Sequence, residues 1–120
     1  MKIRPEQMAA FGADRLDELV ATAAVMVTTR YPEVAYPRTP EALDTLVRGY
    51  ISEAVSLGLR SEYAALRYIE YRIEFREGMW LSPDWAWVRD ILRDPKLDEF
   101  RKIAQIDHLA YGAPAPDSLS

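Results

Sequence analysis

The chain has 120 residues, 49% of them hydrophobic and 28% charged, with a net charge of −4 and a pI near 5.0. That length sets the expectation of one domain, able to bury about two-thirds of its unfolded surface. The absence of cysteine excludes a disulfide scaffold and a thiolate metal site, and the acidic balance argues against non-specific binding to nucleic acid. No local basic patch offsets it, because Arg67, Arg72, Arg76 and Arg89 are each interleaved with Glu or Asp.

Met1-Lys2-Ile3-Arg4 is followed by Pro5 and Glu6 rather than an apolar run, so a signal peptide is not expected. The most apolar stretch, Leu19 to Val27, is shorter than the roughly 20 residues needed to cross a bilayer. The expected compartment is the cytoplasm.

A first helix is expected to start near Pro5, which is tolerated in a first turn. Met8, Gly12, Leu16, Leu19, Ala23 and Met26 fall on one face of it, and Pro32 ends it by biasing Tyr31 away from the helical region. Glu33 to Arg38 reads as a loop. Thr39-Pro40-Glu41 then joins a hydroxyl N-cap, a proline and an acid at a second helix start. Leu43, Leu46, Val47, Tyr50, Ile51, Ala54 and Leu57 give that helix one apolar face, and Gly58 supplies a left-handed stop.

Ser61 caps a third helix, which should lie antiparallel to the second. Its second half is ambiguous. Residues 69–76 alternate apolar and charged without a fault, as a half-buried strand does, yet no turn residue separates them from the helix-forming Glu62 to Leu66. Helix is the favoured reading. On a helix, Leu66, Ile69 and Ile73 share one face, while Ala64, Tyr68, Tyr71 and Phe75 share roughly the opposite one. A helix apolar on two sides is either central to a bundle or covered by a partner.

Ser82-Pro83-Asp84 repeats the start signal for a fourth helix with Trp85, Val88, Ile91 and Leu92 facing inward, and Asp94-Pro95 breaks it. Trp85 and Trp87, two apart, should diverge on that helix and leave Trp87 exposed or partnered. A fifth helix is expected from about Leu97 to Ala110, with Phe100, Ile103, Ala104 and Ile106 to bury. The expected fold is therefore all-α, a compact bundle of about five short helices in one domain over 1–111, with a flexible C-terminal tail over 112–120.

Seven of the thirteen aromatic residues lie between Tyr63 and Trp87. Aromatic side chains provide contact area but neither nucleophiles nor metal ligands. Tyr68, Tyr71, Phe75, Trp80 and Trp87 are the candidate partner-binding residues. Groups suited to catalysis are sparse. His108 follows Asp107 directly, and adjacent helical residues do not face each other. Glu70 and Glu74 would meet on one helix face, but without a second Glu-x-x-His element they read as a solvated ion-pair cluster with Arg67. The five glycines are scattered, with no phosphate-cradling loop. No catalytic residue, metal site or cofactor is expected.

The order of several short motifs carries a resemblance: Ile3-Arg4-Pro5-Glu6-Gln7-Met8, Tyr31-Pro32, Val47-x-x-Tyr50-Ile51-x-x-Ala54-x-x-x-Gly58, Ser61-Glu62, Tyr68-Ile69, and Ile91-Leu92-x-Asp94-Pro95-x-Leu97. Over most of residues 3–97 the chain resembles small α-helical accessory proteins encoded beside bacterial type VI secretion genes and their toxic effectors. Members often carry glycine and aspartate around positions 76–81, where this chain reads Arg-Glu-Gly-Met-Trp-Leu. The resemblance implies a non-enzymatic adaptor or co-chaperone for effector loading, and it supplies no catalytic residue. Its partner would be the effector, the effector's chaperone or a toxin. The alternatives are an immunity protein, whose acidity would suit a basic toxin, a hydrolase built on Glu70, Glu74 and His108, and a homo-oligomer.

Overall fold

Polar side chains at the N-caps decide where half of the described α-helices begin. The computed structural model describes residues 12–75 and 82–112, and these contain six α-helices and no strand. They are α1 (Ala13–Arg30), α2 (Pro32–Ala35), α3 (Pro40–Ser56), α4 (Glu62–Glu74), α5 (Ala86–Arg93) and α6 (Glu99–Tyr111). Thr39 Oγ1 accepts from the Ala42 amide at 3.1 Å, Ser61 Oγ from Ala64 at 3.1 Å, and an Asp98 carboxylate oxygen from Arg101 at 2.8 Å. Each bond satisfies one amide that the first turn leaves without a partner. None of the six helices is long and apolar enough to cross a membrane.

Two expectations about the N-terminal third are corrected. Gly12 has φ of 74° and stands as the N-cap of α1, so it lies outside the helix rather than on its apolar stripe. The expected start at Pro5 lies outside the described residues. Leu16, Leu19, Val20, Ala23 and Val27 form the buried stripe of α1. Tyr31 ends α1 as expected, with φ of −133°. The segment after it is not a loop throughout. Pro32, whose fixed φ stops one helix, also suits the first position of the next, and the short turn α2 buries Ala35.

α3 and α4 form the most extensive helix pair, with α1 packed on both and α6 on the other side of α4. Gly58, at φ of 85°, turns the chain between them, and the Leu59 amide returns to the Ala54 carbonyl at 2.8 Å. α4 is helical through Glu74 with Phe75 as its cap, so the alternating stretch is helix as far as it is described. Ala64, Ala65, Tyr68, Ile69, Tyr71 and Ile73 are all buried, which gives this helix an apolar surface on both sides. Central placement accounts for the alternation: α1, α3 and α6 all contact α4, and apolar residues on both of its sides are buried.

Ser82 caps a 3-10 turn, Pro83–Trp85, that leads into α5. The fourth element therefore opens with a tighter helix than expected. α5 buries Val88 and Leu92 and ends at Asp94. α6 buries Ile103 and Ile106, but Phe100, expected in the core, is 58% exposed. Gly112, left-handed at φ of 72°, closes α6. The remainder of the expected tail lies outside the described residues.

Two contacts tie the C-terminal helices to the loop between α3 and α4. Lys102, almost fully buried, donates from Nζ to the Leu57 carbonyl at 2.8 Å, placing a cation at the C-terminus of α3. Burial pulls its ammonium pKa down, against the opposing pull of Asp94 and Glu99. Glu99 Oε1 accepts from the Arg60 and Ser61 amides at 3.2 and 2.8 Å, placing a carboxylate at the N-terminus of α4.

Candidate functional site

The aromatic residues expected to meet a partner are largely the seam of the bundle itself. Tyr68 and Tyr71 have no exposed surface and Phe75 only 8%. Their placement as contact residues is corrected accordingly, because α4 is enclosed by α1, α3 and α6. Each phenol has a partner suited to burial: Tyr68 donates to Glu53 at 2.6 Å, and Tyr71 to Asp107 at 2.6 Å. Burial, reinforced by these carboxylate acceptors, pushes both phenol pKa values well above the ordinary 10.0. They remain neutral donors.

Phe75 stacks on Trp85 at 4.8 Å between centroids, on Tyr71 at 5.7 Å and on Tyr111 at 6.2 Å. These contacts join α4 to the 3-10 turn and to α6. Trp87 is half-buried, its ring 6.2 Å from that of Trp85 and tilted by 44°. The expected divergence of the two tryptophans fails because Trp85 belongs to the 3-10 turn rather than to α5. Trp80 lies outside the described residues.

Beside this seam runs a chain of ion pairs. Glu70, 5% exposed, receives Arg67 on one carboxylate oxygen at 2.8 Å and Arg30 on the other at 2.5 Å. Arg67 also pairs with Asp107 and lies 4.8 Å from the Tyr71 ring centre. Burial disfavours the Arg67 charge, but hydrogen bonds to Asp107 and Glu70 outweigh it, and its pKa is raised. Glu70 is therefore buried, where a solvated cluster was expected. Glu74 points elsewhere and accepts from the hydroxyls of Tyr31 and Tyr111. Among the described residues no group of three His, Asp or Glu side chains could hold a metal ion.

A cleft of about 490 Å³ opens where three segments meet. Tyr31, Glu33, Val34 and Arg38 come from α2 and its flanks, Leu46 and Tyr50 from α3, and Arg72, Ile73 and Glu74 from the end of α4. Arg72 pairs with Glu53 at 3.1 Å and lies 5.2 Å from the Tyr50 ring centre. A second depression of about 340 Å³ shares Glu74 and adds Arg67, Asp107 and Tyr111.

The sequence pattern did not bring out the cleft. Its residues are far apart in the chain, and Leu46 and Tyr50 sit on the same stripe as true core positions. It also missed an exposed aromatic pair, Tyr63 on α4 and Phe100 on α6, 53% and 58% exposed with ring centroids 6.4 Å apart and nearly parallel. The two lie 37 positions apart, and no local signal joins them.

No family model, curated protein or solved structure matched this chain.

Proposed function

We propose that the chain is a non-enzymatic accessory protein that docks on another protein, as an adaptor or co-chaperone for a type VI secretion effector in the bacterial cytoplasm. The secretion setting comes from the ordered motifs over residues 3–97. The observation that carries the docking role is the Tyr63–Phe100 pair, two large rings stacked on each other and open to solvent. Stacked rings form a rigid contact surface with little rotamer entropy left to lose, as favourable binding residues do. Trp87, half-buried, remains available at the edge of the aromatic seam.

Affinity purification of the tagged chain with the products of neighbouring genes tests this reading. The expected result is a stable complex with one of them, reduced at least about tenfold by Tyr63→Ser with Phe100→Ser, as for a binding hot spot. Failure to recover a complex with any neighbouring product overturns the reading. Rescue of cells from a co-expressed neighbouring toxin replaces it with the immunity role.

A further inference from the structure

The cleft between α2, α3 and α4 has an uneven charge balance. Arg72 is matched by Glu53. Among the described residues Glu33 is exposed and has no ion pair, and Glu74 accepts from the tyrosine hydroxyls of Tyr31 and Tyr111 without an ion pair. Against these two carboxylates stands Arg38, exposed and bonded to the Val34 carbonyl. With Arg72 held by Glu53 outside the lining, two carboxylates and one guanidinium of the cleft have no ion pair among the described residues, beside apolar surface from Val34, Leu46 and Ile73. The whole chain, at −4, carries the same sign.

Resting on the protein-docking reading, we infer that this cleft receives a lysine or arginine side chain from a basic segment of the partner protein. The cationic head meets Glu74 and Glu33, and the methylene stem lies along Leu46 and Ile73, as long basic side chains do on apolar surface. About 490 Å³ exceeds one side chain and leaves room for the flanking main chain. Arg38, with five N–H donors and one hydrogen bond among the described residues, can donate to a carbonyl of that main chain. Burial first, then their bonds to Glu74, raise the phenol pKa values of Tyr31 and Tyr111 above 10.0.

The test is fluorescence anisotropy of the full chain with a labelled Ala-Arg-Ala-Arg-Ala peptide and its Ala-Glu-Ala-Glu-Ala counterpart. The basic peptide is expected to bind saturably and more weakly as salt rises, and the acidic one not to bind. Glu74→Gln should weaken binding by about tenfold and Glu33→Gln by several-fold, while Glu18→Gln, outside the cleft, leaves it unchanged. Equal binding of both peptides overturns the inference, as does indifference to both cleft substitutions. A preference for the acidic peptide that Arg38→Gln abolishes also overturns it, in favour of an anion site. Should Glu74→Gln disturb folding, Glu33→Gln decides, because that exposed side chain makes no side-chain bond among the described residues. A complex with a neighbouring gene product that survives both cleft substitutions but is lost with Tyr63→Ser and Phe100→Ser removes the cleft and keeps the docking reading. Arginine-peptide binding through Glu33 and Glu74 without any such complex does the reverse.

Discussion

Glu70 shows how burial decides the weight of an interaction. Its carboxylate holds two arginines, but its own side chain is 7% exposed, that of Arg67 20% and that of Arg30 61%. Removing the buried member leaves Arg67 half-compensated in a poorly solvated place, whereas removing Arg30 takes away a charge that water already screens. Glu70→Ala should therefore lower stability by about 3 kcal/mol and Arg30→Ala by less than about 1 kcal/mol in urea titrations. The buried phenols make a second prediction at this scale. Tyr68 and Tyr71 have native pKa values raised above the unfolded 10.0, so the native state keeps protons that the unfolded chain releases. Their contribution is complete below pH 10.0 and is lost as pH rises beyond it, by up to about 1.4 kcal/mol per pH unit for each phenol. Urea midpoints should stay level from pH 7 to 9 and fall above 10, and Tyr68→Phe with Tyr71→Phe should flatten that fall.

The helices themselves were legible wherever a chemical stop or start stood next to an apolar stripe. Thr39-Pro40, Ser61 and Gly58 each do in the fold what their residue types imply. Legibility failed where one residue type serves two geometries. Pro32 both stops α1 and starts α2, and Gly12 looked like a small residue within a stripe although it carries a positive φ. The candidate site failed for a related reason. Apolar residues on two sides of α4 fit a covered partner surface and a central helix equally well. Only the positions of α1, α3 and α6 decide that Tyr68, Tyr71 and Phe75 lie inside. Gly58 gives the sharpest test of an element boundary. A Cβ there would meet only Lys102 Nζ at 3.6 Å, an ordinary contact, so the cost of Gly58→Ala is purely conformational. It should be about 1 kcal/mol, seen as a lower urea midpoint without a change in slope. A much larger loss would mean that the added methyl displaces Lys102 from the α3 terminus.

Over the described residues, α4 is the element that α1, α3 and α6 all contact. α3 meets it with Tyr50 and Glu53 against Tyr68 and Arg72, and α1 with Arg30 against Glu70, whereas α6 and the entry to α5 reach it through rings: Tyr71, Phe75, Trp85 and Tyr111. Phe75 stands in the middle of that ring contact, stacked on three of its neighbours. Truncating it removes the centre of the ring contact between the α1–α4 layer and the C-terminal helices, and leaves the α3–α4 pairing untouched. Phe75→Ala should cost about 3–5 kcal/mol, the range for a buried aromatic. The loss should also be uneven. In native-state hydrogen exchange, amides of Ala86–Arg93 should lose more protection than those of Leu43–Val55, because the contact removed belongs to the former. An equal fall in both segments would show the two layers unfolding as one unit. Lys102 and Glu99, bonded to the α3–α4 loop from α6, would then be strong enough to couple the layers without the rings.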